Sequence, residues 1–420
     1  MARSLRLPPH SGTSAHVCTI YPWQAGSGLT GAGVWLGYQG WSHAPFSFDP
    51  WELYRRGVLT NPNLLVIGEI GKGKSTLIKT YVSRQMVFGR RAYILDPKGE
   101  YGPFAAAHRM PIVRLAPGGA TRLNPLDPGP AGAETDGELA RRRAELVGAL
   151  AETALARPLT PEEAAALTRV VVSLSDGATL SDVVARLIDP SAELAAAMST
   201  TAGELTPAVR DLALALDQLL HGPLAGMFDG PTTVDIDWSA GRGLVLDLSA
   251  LWGQDRALPI VMTCALSWLR SAISAPGPQR MLVLDEAWAL LRELAIGRWL
   301  QGSVKLARAW GLSVMFVLHR LSDLQAAGDA SSEQVALARG LLADTGTRII
   351  FAQPSDQVAG TKELLSLSSV EAELLPRLDR GFALVRIGER SLLLQHVVDD
   401  GERPWLDTDA AMRGDVEVQS

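Results

Sequence analysis

Cysteine is nearly absent: only Cys18 and Cys264 occur in 420 residues. Two cysteines at no metal-ligand spacing cannot build a disulfide framework, and such scarcity suits a reducing cytosol. Net charge of one sign is scarce too. A sum of −6 excludes a chain that grips nucleic-acid phosphates over its whole surface, although a local basic lining, such as that of a ring's pore, is compatible with it. Long apolar runs are missing: no stretch reaches the ~18 uncharged apolar residues of a membrane span. The most apolar runs, Leu64–Ile67 and Val314–Leu318, have the length of buried strands. Arg3 and Arg6 open the chain without an apolar run behind them, so no signal peptide is expected. Work at a membrane would require a partner to hold the protein there.

What is present is an ordinary globular composition. Apolar residues make up 47% and charged residues 20%, enough for a sizeable core, and the length suggests two or three units at roughly 100–200 residues each. Residues 1–60 are rich in Gly, Pro and Trp and read as a short cover segment with a strand-like piece, Val34–Tyr38. A core spans 61–127 and 231–400. Its strand candidates are Asn63–Ile67, Arg91–Leu95, Gly243–Leu248, Met281–Leu284, Ser313–Leu318, Thr347–Phe351 and Phe382–Ile387, with a helix from Lys74 to about Phe88. Strands alternating with helical stretches predict an α/β fold with a mainly parallel sheet. Between the two parts of the core, 128–230 is rich in Ala, Leu and Glu and reads as an all-helical insertion. Thr160 before Pro161 marks one helix start. The polar residues 401–420 read as a flexible tail.

Three motifs carry chemistry. Gly68-Glu69-Ile70-Gly71-Lys72-Gly73-Lys74-Ser75 fits the phosphate-loop pattern G-x-x-x-x-G-K-[ST] between a strand and a helix, as that loop's mechanism requires. Gly68, Gly71 and Gly73 let the backbone curl so that N–H groups meet phosphate oxygens, and the helix opening at Lys74, Ser75 and Thr76 adds its positive end. Lys72 lies within the loop. Lys74 would reach the β- and γ-phosphates and Ser75 would ligate Mg²⁺. The second motif is the apolar run Met281–Leu284 ending in Asp285 and Glu286. Asp285 is placed to hold the magnesium shell and Glu286 to polarise an attacking water. An acidic pair of this kind also occurs as a plain strand-end cap. Third, Asp96-Pro97-Lys98-Gly99-Glu100-Tyr101 ends a strand at the edge where α/β sheets bind ligands. Glu100 is either a second acid near the γ-phosphate or a solvated turn residue.

Taken in order, these motifs, with Leu123-Asn124-Pro125, Asp247-Leu248-Ser249 and Leu284-Asp285-Glu286-Ala287-Trp288, resemble the HerA–FtsK branch of phosphate-loop ATPases. Within it they most resemble the TraC-type (VirB-class) ATPases of type IV secretion and conjugative transfer, over about residues 45–400. The resemblance implies a RecA-like core, ATP and Mg²⁺ as cofactors, and ATP hydrolysis by a ring, a homo-hexamer in the family. Relatives usually carry a large N-terminal domain, so the chain resembles their motor part alone. By the same resemblance the motor would work in the cytoplasm at the inner face of the membrane, docked on inner-membrane secretion-channel components, or would translocate DNA through the ring. A nucleotide-binding switch with little turnover is the third reading. The resemblance also implies that Arg308 reaches a neighbouring subunit's ATP in trans, with Arg348 a weaker candidate. It expects a polar amide that senses the γ-phosphate at the position of His319, which Arg320 follows. Here that position holds an imidazole, so either His319 or Gln353 takes the role, or His319 is structural.

Overall fold

The computed structural model describes residues 33–129, 135–234, 236, 241–291, 294–319 and 332–406. Eleven strands form one sheet: β1 (Val34–Gln39), β2 (Pro45–Phe48), β3 (Leu64–Ile67), β4 (Arg91–Asp96), β5 (Ile112–Arg114), β6 (Gly243–Asp247), β7 (Arg280–Leu284), β8 (Leu312–Leu318), β9 (Thr347–Ile350), β10 (Phe382–Ile387) and β11 (Arg390–His396). Their order across the sheet is β2-β1-β11-β10-β9-β3-β8-β7-β4-β6-β5. The strands from β9 to β5 are parallel; β10, β11, β1 and β2 pair antiparallel along the other end. The expected mixed α/β fold with a mainly parallel centre is thus what the chain adopts.

The central strands read as uninterrupted apolar runs because both faces are covered. Every residue of β3, β7 and β8 is buried, the pattern of a parallel sheet with layers on both sides. Leu64 and Val66 pack with Leu77, Ile78 and Tyr81 of the helix Lys74–Met86. Leu65 and Ile67 face the opposite core, built with the helices between β5 and β6. All described elements between those two strands are helices: Asp136–Leu155, Pro161–Val172, Leu180–Ile188, Ala192–Ala197 and Ala202–His221. Thr160 caps its helix reciprocally with Glu163, satisfying two backbone donors at once. Leu146, Leu167, Val184 and Leu212 of these helices share one core with Leu95 and Leu246 of the sheet, and the helix Asp136–Leu155 packs against the helices Ala257–Ser274 and Leu294–Leu306.

Two sequence expectations need correction. Residues 34–48 do not lie over the core as a separate cover. They are β1 and β2, with Gly37 opposite His396, because alternating Val34, Leu36, Phe46 and Phe48 supply the apolar face of an edge hairpin. The segment read as a tail from 401 holds the helix Arg403–Leu406, whose Trp405 packs edge-on against Phe104 at 5.5 Å and His108 at 5.1 Å. The helix Ala257–Ser274 is long and apolar enough to cross a membrane, but it carries Arg270, so it is not an uncharged run of that length, and 88% of the window is buried inside the protein.

Candidate functional site

The P-loop strand β3 and the acidic strand β7 are not neighbours: β8 lies between them. All three are parallel, so the loop after Ile67, the acids after Leu284 and His319 after Leu318 emerge at one edge. The turn after Asp96 joins them there, since β4 is parallel to β7.

The phosphate loop is held from behind. Glu69 N–H donates to Ala352 O at 2.9 Å, Phe351 N–H to Ile67 O at 2.8 Å, and Gly381 N–H to Lys72 O at 3.1 Å. At Gly68 a Cβ would stand 2.4 Å from Phe351 Cβ, so only glycine lets the loop pass this wall. Gly73 has φ +109° and is the N-cap of the following helix, which no side chain caps. The free amides of a helix start suit an anion, and a cradle of glycine backbone at an uncapped helix end therefore fits phosphate oxygens. Lys74 is 4% exposed; its Nζ donates to Gly68 O at 2.5 Å and Glu69 O at 2.8 Å. Burial pushes its pKa down to about 8, opposed by the nearby acids Asp285 and Glu286. Ser75 and Thr76 are half-buried on the first turn, beside Lys74.

The acid pair behaves as two different groups. Asp285 is buried, and burial together with Glu286, Asp96 and Glu100 raises its pKa to about 7. Such a carboxylate welcomes a divalent cation, whose charge would offset that repulsion. The Ser75 hydroxyl, on the first turn of the P-loop helix, is a second oxygen at the same sheet edge. Glu286 takes φ +52°, rare outside glycine, and this turn aims its carboxylate into a ring of donors. Oε1 forms an ion pair with Lys98 Nζ and lies 2.5 Å from His319 Nε2. Oε2 accepts from Trp288 Nε1 at 2.5 Å. Burial alone would raise its pKa, but His319 and Lys98 together outweigh burial and bring it down to about 2. Lys98 Nζ also lies 3.0 Å from His319 Nε2.

The turn that carries Lys98 is tied down by a carboxylate that motif reading did not single out. Asp96 accepts from Gly99 N–H at 2.9 Å, Glu100 N–H at 3.1 Å and Tyr101 N–H at 2.9 Å. Lys79, fully buried on the P-loop helix, donates to Glu100 O at 2.7 Å and so links the two motifs. Lys79 follows Lys74 by five residues and gave no signal beyond being a charge in an apolar helix. Glu100 stands close enough for its charge to act on Lys74 and Asp285.

The remaining candidates separate. His319 is engaged with Glu286 and Lys98. Gln353 is 2% exposed, and neither amide atom has a hydrogen-bond partner; it follows Ala352, which holds the loop at Glu69. Arg348 pairs in register with Leu65 and therefore lies on the face opposite the P-loop helix. Its Nη1 donates to Leu365 O at 3.1 Å, and Arg386 donates to the same oxygen at 2.9 Å. Two arginines closing one helix C-terminus do structural work, which removes Arg348 as a candidate for reaching a nucleotide. The backbone of Arg308 lies in the turn Ala307–Trp310, at the amino end of β8 and so at the edge away from the phosphate loop. The Arg308 side chain and Arg320 lie outside the described residues. Among the described residues no cluster of three or more His, Cys, Asp or Glu could hold a metal.

The comparisons agree with this architecture. An AAA-like domain model matches residues 55–129, the part that holds the phosphate loop, Asp96 and Glu100. No curated protein sequence matches the chain. Among solved structures, VirB4 of Thermoanaerobacter pseudethanolicus is 21% identical with a TM-score of 0.75, covering 90% of this chain and 100% of that one. The bacterial conjugative coupling protein TrwBdeltaN70 is 16% identical at a TM-score of 0.59, covering 89% of this chain and 91% of its own. TrwB in complex with ADP and Mg²⁺ is 15% identical, with the same TM-score of 0.59 and coverage of 89% and 91%. The chain therefore has the RecA-like P-loop NTPase fold found in VirB4 and TrwB, and its residues 55–129 are similar to an AAA-like domain.

Proposed function

We propose that the protein is an ATPase motor of type IV secretion or conjugative transfer, hydrolysing ATP with Mg²⁺ in a self-assembled ring, a hexamer by family resemblance. The observation that carries hydrolysis is the ring of Lys98, His319 and Trp288 around Glu286 at the edge that holds the phosphate loop. A protein that only held nucleotide would have no use for a carboxylate kept ionised and aimed by three side chains.

Gly68, Gly71, Lys72, Gly73, Lys74, Ser75 and Thr76 hold the triphosphate, Lys74 with its charge and the others with backbone amides or hydroxyls. Ser75 and Asp285 would hold a magnesium ion, which would supply charge neutralisation to the phosphates. Glu286 accepts a hydrogen bond from the attacking water and orients it. A carboxylate with a pKa of about 2 is a weak proton acceptor, and orientation is what a loose phosphoryl-transfer transition state needs most. Lys98 and His319 fix Glu286; Glu100 adds negative charge beside Lys74. Gln353 is the γ-phosphate sensor in this reading, because its amide has no partner while His319 is committed to Glu286. Arg308 completes the site of the next subunit, a role supported by its lying at the opposite edge of its own sheet.

The secretion reading is supported by the higher TM-score to VirB4, and membrane docking would come through inner-membrane channel components on the cytoplasmic side. The likeness to the coupling protein TrwB supports the second reading, a DNA translocase. The test is mass with and without a non-hydrolysable ATP analogue, followed by phosphate release with and without DNA. Assembly with turnover is expected. DNA stimulation selects the translocase, and a monomer at all nucleotide concentrations contradicts the ring.

A further inference from the structure

Beside the acidic strand end lies a cavity of about 170 Å³ that shares its Trp288 wall with the site around Glu286. Trp252 and Trp288 form two of its walls, and Gln254, Asp255, Leu258 and Pro259 also line it. Pockets for drug-sized ligands run to roughly 300–1,000 Å³, so this one has room for a single ring system. Trp252 is 44% exposed, an uncommon state for so large an apolar ring, and an indole face that meets solvent stacks readily on another planar π-system. Gln254 donates its amide to Ala250 O at 3.3 Å and keeps an amide oxygen that a hydrocarbon ring would not use. A heteroaromatic edge with its own donors and acceptors would. Two cations stand close by: Lys98 Nζ lies 5.0 Å from the centre of the Trp252 ring, and the exposed Arg256 follows Asp255. They suit a phosphate attached to the ring.

We propose that the cleft between Trp252 and Trp288 binds one nucleobase, carried by a single-stranded nucleic acid or by a free nucleotide. The two walls are both joined to Glu286: Lys98, which stands over Trp252, pairs with Oε1, and Trp288 donates to Oε2. A base entering the cleft would therefore press on both oxygens of that carboxylate and couple occupancy to turnover. The coupling rests on the reading of Glu286 given above; the binding site does not.

Binding is tested on the full chain without reference to hydrolysis. One arm follows the anisotropy of a labelled oligothymidylate. The other titrates thymidine monophosphate in the Lys74→Ala background, so that the phosphate loop does not contribute. At least one probe is expected to bind, to weaken about tenfold or more in Trp252→Ala, as loss of one base–aromatic stack implies, and to recover in Trp252→Phe. Which arm responds identifies the source of the base. The proposal is overturned if neither probe binds, if Trp252→Ala binds as tightly as the parent, or if that substitution instead changes the oligomeric state, which would make the cleft a socket for a second copy. Base binding in a protein that releases no phosphate would keep the cleft and sink the hydrolysis reading.

Discussion

The phosphate loop recognises through backbone, whereas the acidic strand end works through side chains. At the loop, glycines expose amides, Phe351 and Gly381 press from behind, and one lysine supplies charge. At the strand end, three side chains, Lys98, Trp288 and His319, converge on the carboxylate of Glu286. A backbone site is written locally in eight residues and tolerates no bulk. A side-chain site is assembled over more than 200 positions and tolerates change one partner at a time. Sequence legibility, fragility and pH response should differ accordingly between the two.

Lys74→Ala should produce the largest effect on binding. It removes the one charge of the backbone site, so nucleotide affinity should fall about a hundredfold or more, the size seen when one member of a desolvated charge pair is deleted. Calorimetric titration with ADP checks this. Parental affinity would mean that the loop does not hold phosphates.

Gly68→Ala should come next, as a loss of stability. The added Cβ would overlap Phe351, and overpacking typically costs about 1–3 kcal/mol. Urea unfolding would show it, and a paired Phe351→Ala should return part of the loss. No such rescue should exist for a change at the strand end.

Lys98→Met should lower kcat about tenfold, a fraction of the ~10²–10⁴ that a positioned acid–base group contributes, with KM little changed. His319→Gln should act in the same direction but more weakly, since an amide can still donate to Glu286. A rise in KM with constant kcat would place these residues in binding and dissolve the contrast between the two regions.

The smallest effect is a pH response. Asp285, with its pKa raised to about 7, is protonated below that value, so a divalent cation must displace the proton. Magnesium affinity in the presence of nucleotide should therefore rise with pH up to about 7 and flatten above it, by about tenfold per unit at most. Asp285→Asn should abolish the slope. Lys74, with a pKa of about 8, stays charged across that window, so the phosphate loop contributes no slope of its own.

The same contrast explains what the sequence made legible. The loop, its helix and the central strands were readable because each is a local pattern: glycines at fixed offsets, apolar runs of strand length, Thr160 before Pro161. The partners of Glu286 were not. Lys98 lies inside a motif that gives it no role, and His319 stays open between a phosphate sensor and a structural residue, because no local pattern reports a contact between positions 98, 286 and 319. Asp96 and Lys79 brace the turn through backbone atoms, which sequence pattern does not display. The antiparallel end went unread for a related reason: β1 and β11 pair across more than 350 residues, and apolar alternation names a face but not a neighbour.

The most direct test of the account is Glu286→Gln, with nucleotide affinity and phosphate release measured on the same preparation. An amide keeps the size and can still accept from Lys98 or Trp288, but it lacks the charge that orients water. Affinity close to the parent with turnover reduced about a hundredfold or more is the expected result. Hydrolysis at the parental rate would contradict the assignment of Glu286 and, with it, the reading of the strand end as the catalytic half of the site.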